Sequence, residues 1–94
     1  MTEAGSGGAP QKNPHAAARV YEGEAFIVIP QTSQYKILNA TGSRIWELID
    51  GSRSSDEIAG IIADEYEVSP EQALNDVHGF LEDLKMNGML AQGD

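Results

Sequence analysis

Residues 38–51 constrain the fold most, because this stretch has the pattern of a strand end followed at once by a short amphipathic helix. Asn39 has a side-chain oxygen suited to cap the first helical turn, and Gly51 can adopt the left-handed conformation that follows a last turn. Gly42 allows another element to approach the first turn closely. The apolar residues fall on one arc at helical spacing: Ile45, Trp46, Leu48 and Ile49. The stretch therefore predicts a junction between a strand and a helix.

Strand-forming sequence precedes this junction. Residues 19–22 and 24–29 are rich in β-branched and aromatic residues, which predicts two strands joined as a hairpin. A third strand is predicted over residues 34–38, after a polar loop. Three short strands do not form a stable sheet alone, so we expect them to pack on helices.

Helix-forming sequence follows the junction. Ser54 and Glu57 have the spacing of a capping box, and isoleucines follow them at helical spacing. Ser69 and Gln72 have the spacing of a second capping box, with Pro70 at the first helical position, where proline is favoured. We expect this third helix to run to about residue 87 and to end before Gly88. Its apolar stripe comprises Ala73, Leu74, Val77, Phe80, Leu81 and Leu84. The order of elements predicts an α+β domain in which a three-stranded antiparallel sheet is followed by three helices.

Residues 1–17 have a different composition. They are mostly Gly, Ala, Pro and polar residues without periodicity, so they lack the apolar surface that offsets the entropy of ordering. We predict a disordered tail over residues 1–17 and a folded domain over residues 18–91.

The charge balance limits the partners. Six Lys and Arg residues stand against fifteen Asp and Glu residues among 94, and the formal net charge of −9 opposes binding to phosphate backbones and to anionic membrane surfaces. We expect neither nucleic acid nor membrane as a partner. The chain has no Cys, no recognisable secretory signal and no apolar run long enough to span a bilayer, so we expect a cytoplasmic protein.

Residues suited to catalysis are few and scattered. His78 lies four residues before Glu82 on the third helix, which favours a surface pair over a catalytic role. No group of His, Asp and Glu has metal-ligand spacing, and no Ser lies in a nucleophile elbow. We therefore expect no catalytic residues, no metal and no cofactor.

The third strand offers a different kind of site. In the simplest meander it lies at a sheet edge, where its free N–H and C=O groups can accept an extended peptide as an added strand. If the third helix lies beside it, the two form a groove, and Asp76 and Asp83 would favour a peptide that carries Lys or Arg. Phe80 is equally compatible with this groove and with the core, whereas for Val77 and Leu81 we favour the core.

The sequence also resembles the PqqD family. The motif is Leu38-Asn39-x-Thr41-Gly42-x-x-Ile45-Trp46-x-Leu48-x-Asp50-Gly51, then Glu57-Ile58, Tyr66-x-Val68-Ser69 and Asp76-Val77-x-x-Phe80-Leu81-x-x-Leu84-x-x-x-Gly88-Met89-Leu90. The resemblance covers residues 19–90, and it departs from the pattern at Met89, where Leu is usual. It implies a winged-helix-like domain that binds the leader segment of a ribosomally made precursor peptide. It also implies presentation of this peptide to a modifying enzyme, often a radical S-adenosylmethionine protein, in pyrroloquinoline quinone or related pathways.

The resemblance places the leader along the third strand, beside the third helix. Together with the groove argument, it gives these candidate peptide-binding residues: Gln34, Tyr35, Lys36, Ile37, Leu38, Asp76, Val77, Phe80, Asp83 and Leu84.

Two other classes share some of these features. A winged-helix DNA-binding regulator has this architecture, but it needs a basic recognition helix, and Lys85 is the only cationic residue of the third helix. An acyl-carrier-like protein is small and acidic too, but it needs an Asp-Ser-Leu attachment site that this sequence lacks. A non-enzymatic peptide chaperone or adaptor is the prediction that fits best.

Overall fold

The computed structural model describes residues 9–22 and 24–91. The strands are β1 (Ala17–Tyr21), β2 (Glu24–Ile29) and β3 (Gln34–Leu38), and the helices are α1 (Ala40–Leu48), α2 (Ser55–Tyr66) and α3 (Pro70–Met86). The sheet order is β1-β2-β3, and both pairings are antiparallel. The predicted α+β order of three strands followed by three helices is confirmed.

The sheet has one covered face, which is mainly that of β2 and β3. Ile27, Ile29 and Leu38 point to this face and are buried. On the opposite face, Phe26 of β2 pairs with Ile37 of β3. Nearly all of β1 is exposed, so this strand projects beyond the helices as a wing.

The three helices close the core over the covered face of the sheet. Each contributes fully or nearly fully buried side chains: Ile45, Trp46 and Leu48 from α1, Ile58, Ala59 and Ile62 from α2, and Ala73, Val77 and Leu84 from α3. Among the described residues, no polar or charged side chain is buried in this core. Apolar burial is thus the main force that holds the layers together.

The predicted N-caps are all present. The side chain of Asn39 accepts from the Gly42 N–H at 2.7 Å, and Ser54 and Glu57 form a complete capping box. Ser69 accepts from the Gln72 N–H at 3.1 Å, but the Gln72 side chain donates to Asp76, so the second capping box is only half formed. These bonds satisfy N–H groups that have no partner within the helix, and they fix where each helix begins.

A left-handed glycine directly follows the C-cap residue of α3 but not that of α1. At the end of α3, Gly88 is left-handed (φ +72), and Met89 donates its N–H to the Leu84 carbonyl at 2.8 Å. The Met89 side chain is thereby folded back into the core. Gly51 is also left-handed, but α1 already ends at Leu48, so Gly51 shapes the turn that follows the helix rather than its cap.

Residues 9–17 differ from the predicted tail. The Gly51 N–H donates to the Pro10 carbonyl at 3.2 Å, and Lys12 forms an isolated bridge with Leu90. The side-chain amide of Asn13 donates to the Gly88 carbonyl at 2.8 Å. These contacts connect the segment to the turn after α1 and to the residues after α3, and they form without an apolar pattern in the sequence. Residues 1–8 lie outside the described residues.

None of the helices that the structure describes is long and apolar enough to cross a membrane.

Candidate functional site

An open cavity of about 510 Å³ lies between the first turn of α1 and one side of α3. Its size falls within the range of about 300–1,000 Å³ that is usual for ligand pockets. The lining residues are Asn39, Thr41, Gly42, Ile45, Asn75, Asp76, Gly79, Phe80 and Asp83. Asn39 directly follows β3, so the cavity lies at the end of the third strand.

Phe80 forms a wall shared by the cavity and the core. It is half-buried and packs against the core cluster while it also lines the cavity. A Cβ atom added at Gly42 would lie 3.1 Å from Cε1 of Phe80, which is closer than ordinary van der Waals contact. The absence of a side chain at Gly42 therefore lets the ring lie against the first turn of α1, which is the close approach expected from the sequence.

Lys36 connects β3 to α3 across the groove. Its ammonium nitrogen lies 3.2 Å from Oδ2 of Asp83 and 5.8 Å from the centroid of the Phe80 ring. Alternation along β3 places Lys36 on the face opposite to Tyr35 and Ile37, and this face is the one that looks toward α3. An exposed ion pair of this kind contributes little stability, so it does not hold the groove shut.

Asp76 is the second carboxylate of the cavity. Its Oδ1 accepts from the side-chain amide of Gln72 at 2.9 Å, one helical turn away. Within residues 9–22 and 24–91 it takes part in none of the ion pairs, whereas Asp83 is paired with Lys36. The carboxylate of Asp76 therefore leaves a negative charge at this wall of the cavity without a cationic neighbour in the described chain.

The β3 strand has one edge without a strand partner in the part of the chain that the structure describes. Tyr35 and Ile37 are 66% and 59% exposed on the outer face of the sheet, and Gln34 is also exposed. Lys36 faces α3, and Leu38 is buried in the core. A peptide added to this edge would therefore meet the outward-pointing backbone groups of alternate β3 residues, and the exposed Gln34 and the groove-facing Lys36 carry the accessible side chains on the α3 side of the strand.

Two of the candidate residues on α3 lie in the core instead of the groove. Val77 and Leu84 have no exposed surface, so they support the groove wall from behind and do not offer side-chain contacts to a peptide. Asp76, Phe80 and Asp83 do line the cavity. The helical spacing groups all five residues on one side of α3, but only the position of the sheet decides which of them is covered.

Several cavity residues were not among the candidates. Asn39, Thr41 and Gly42 come from the first turn of α1, and Asn75 and Gly79 come from α3. Gly79 carried a signal in the sequence, because glycine is unfavourable inside a helix and needs a reason to be there. The contribution of α1 could not be found from periodicity, since it depends on how α1 and α3 pack.

Groups suited to metal binding or acid–base chemistry are not brought together. No cluster of three or more His, Asp or Glu side chains that could hold a metal occurs among the residues described. His78 is exposed, and its Nε2 lies 3.4 Å from Oγ of Ser55. This contact differs from the pairing with Glu82 expected from the sequence, because α2 lies alongside α3 and brings Ser55 within reach.

Comparison with known proteins identifies the family. Residues 24–90 match the family described as coenzyme PQQ synthesis protein D (PqqD). The chain belongs to the PqqD family. The match begins at β2 and ends just beyond α3, so it includes β3, the cavity and the whole helical half. No curated protein sequence matches this PqqD-family chain.

Solved structures show the same fold. TbiB1 in complex with the TbiA(beta) leader peptide is 28% identical to this PqqD-family chain, with a TM-score of 0.77 over 89% of this chain and 99% of TbiB1. A lasso peptide synthetase B1 complexed with its leader peptide is 23% identical, with a TM-score of 0.79 over 88% of this chain and 98% of that one.

A third structure is that of the PqqD truncation of Methylobacterium extorquens PqqCD, a stand-alone recognition element for ribosomally synthesised and post-translationally modified peptides. It is 20% identical, with a TM-score of 0.74 over 88% of both chains. The likeness extends over nearly the whole length of these domains, and the fold expected from the family resemblance is confirmed.

Proposed function

We propose that this protein is a non-enzymatic adaptor that binds the leader segment of a ribosomally made precursor peptide and presents the peptide to a modifying enzyme. The observation that carries the proposal is the free edge of β3 beside the open cavity on α3. TbiB1, a relative of nearly the same length, is found in complex with a leader peptide. The partner expected for the groove is therefore an extended peptide.

Strand addition accounts for both the affinity and the selectivity of such a site. The backbone N–H and C=O groups on the free side of residues 34–38 bind the peptide without regard to its sequence, because every peptide has the same backbone. Side chains of the peptide that point toward α3 meet Lys36, Phe80 and the cavity beyond them. Selection among peptides then depends on these contacts.

The role of the protein in modification is to position the peptide. A leader held by the adaptor keeps the flexible core peptide at a high effective concentration beside an enzyme that is bound to the same adaptor. We propose a radical S-adenosylmethionine protein as that enzyme, as the family membership suggests. The adaptor itself contributes no reacting group in this scheme.

A DNA-binding regulator fits the charges less well. The recognition helix of a winged helix needs basic residues to contact phosphates and base edges. Here α3 carries Glu71, Asp76, Glu82 and Asp83 against Lys85. The exposed surface of this helix therefore favours a peptide over a nucleic acid.

Fluorescence anisotropy tests the proposed function. The full chain is titrated into a fluorescein-labelled leader segment of the precursor peptide encoded beside its gene, with a scrambled leader of the same composition as control and a random DNA duplex at low salt as a third probe. We expect saturable binding to the leader and much weaker binding to both other probes. Equal binding of leader and scrambled peptide, or binding of the duplex alone, would contradict the proposal.

A further inference from the structure

We propose that the cavity between α1 and α3 is a pocket for one Lys or Arg side chain of the peptide bound along β3, and that Gly79 keeps this pocket open. The inference rests on the proposed function. It adds that the protein selects a Lys or Arg side chain of the peptide. It also adds that Gly79 controls access to the cavity.

The lining of the cavity suits a long cationic side chain. The half-buried ring of Phe80, which lines the cavity, offers apolar surface to an aliphatic stem. Asp76 and Asp83 also line the cavity and offer carboxylates to a charged head group. An acidic side chain in the same place would meet two like charges.

The protein's own Lys36 shows that this wall accepts a cation. Its ammonium group lies beside both the carboxylate of Asp83 and the ring of Phe80, which is the combination of ion pair and cation–π contact that an incoming cation would use. Lys36 occupies the end of this wall that lies nearest β3. The carboxylate of Asp76, one of whose oxygens accepts from Gln72, is the one left for the side chain of the peptide.

Gly79 is the unusual residue of the pocket. It lies in the interior of α3, where glycine is the least favourable residue after proline, and a Cβ added there would meet nothing within 4 Å. The packing of the free protein therefore does not require glycine at this position. A methyl group at residue 79 would extend into the cavity that Gly79 lines, so glycine is explained by the space that it leaves for a ligand.

Gly60 provides a matched control. It also lies in the interior of a helix, α2, with nothing within 4 Å of an added Cβ, but it does not line the cavity. Gly79→Ala and Gly60→Ala should each raise the Tm by about 4–8 °C, because both replace glycine with alanine in a helix. Only Gly79→Ala should weaken binding of the leader, by about tenfold, because the added methyl group takes up space that the side chain of the peptide needs.

A double-mutant cycle tests whether a cationic side chain of the peptide interacts with Asp76. The probes are the labelled leader segment and variants in which each Lys or Arg is replaced in turn by norleucine, which retains an apolar stem without the charge. One replacement should weaken binding by about three- to fivefold, the size expected for an exposed ion pair. With the Asp76→Asn protein the same replacement should cost nothing further, because the two changes remove the same interaction.

The outcomes separate this inference from the proposed function. If the wild-type protein does not bind the leader, both fail. If it binds the leader, but Gly79→Ala binds as tightly as Gly60→Ala, or no basic position couples to Asp76, the pocket assignment is wrong and the adaptor function stands. Weaker binding by Gly79→Ala but not by Gly60→Ala, together with coupling of one basic position of the peptide to Asp76, supports the pocket.

Discussion

The ammonium nitrogen of Lys36 lies 3.2 Å from Oδ2 of Asp83, and this contact joins the free edge strand of the sheet to the helix that faces it. It crosses the groove in which we place the peptide. Asp83 is 60% exposed in this pair, so solvent screens the attraction and the bridge can open at little cost.

Removing the charge of Lys36 should leave the fold intact. Lys36→Met keeps the aliphatic stem but removes the ion pair and the cation–π contact. We expect the free energy of unfolding to change by less than about 1 kcal/mol, as is usual for exposed pairs. Urea denaturation followed by the fluorescence of the single Trp measures this change. A loss above about 2 kcal/mol would mean that the bridge is a structural tie and not an openable contact.

Gly42 and Gly60 should respond differently to alanine. In Gly42→Ala the new Cβ would lie 3.1 Å from Phe80 and 3.2 Å from the capping oxygen of Asn39, whereas nothing lies within 4 Å at Gly60. We expect Gly42→Ala to have a lower Tm than Gly60→Ala, because both the ring and the N-cap must shift. Differential scanning calorimetry provides the comparison. An equal or higher Tm for Gly42→Ala would show that the ring moves freely into the cavity.

The contacts of residues 9–17 should contribute to stability. Asn13→Ala removes the donor that binds the Gly88 carbonyl at 2.8 Å, in a part-buried place at the end of α3. We expect a loss of about 1–2 kcal/mol, since the part-buried carbonyl loses this hydrogen bond. Urea denaturation of Asn13→Ala is compared with that of Gln31→Ala, whose side-chain contact with His15 is exposed. Equal stabilities for the two variants would indicate that the segment is not held in place in solution.

The ion pair between Arg44 of α1 and Glu65 of α2, together with the hydrogen-bonded carboxylate of Asp50, should make stability depend on pH in the acid range. Hydrogen bonds from Arg44 hold the pKa of Glu65 below its ordinary value of 4.5, and backbone N–H groups of Arg53 and Ser52 lower that of Asp50 below 3.8. A carboxyl group with a lowered pKa in the folded state stabilises the protein above its unfolded pKa. This stabilisation is lost as the pH falls through the folded value.

We therefore expect the Tm to fall as the pH is lowered from about 7 to about 3. Glu65→Gln should show a smaller fall than the wild type, because it removes one of the titrating groups. Thermal unfolding across this range is the measurement. Parallel Tm curves for the two proteins would contradict the assignment of Arg44 and Glu65 as a pair that acts on stability.

Local signals in the sequence predicted most of the fold. The N-caps at Asn39, Ser54 and Ser69 and the stop at Gly88 follow from the chemistry of side chains near each helix end, and the structure contains all four. The pairing of Lys12 with Leu90 was not predictable in this way. It joins residues far apart in sequence through backbone groups, which every residue carries.

The site was predicted less completely than the fold. The free edge of β3 and the acidic residues of α3 follow from the order of elements and from helical spacing. Whether Leu84 or Phe80 faces the groove depends on where the sheet lies over α3, and the stripe does not contain this information. The cavity also needs the first turn of α1, so its shape arises only when three elements pack together.

The most direct test of strand addition is amide hydrogen exchange across residues 34–38, measured by NMR on the full chain with and without the leader segment. The account predicts that N–H groups on the free edge of β3 exchange fast in the free protein and become protected in the complex, while those of β1 do not change. Saturating leader without new protection in β3, or new protection in β1 instead, would contradict it.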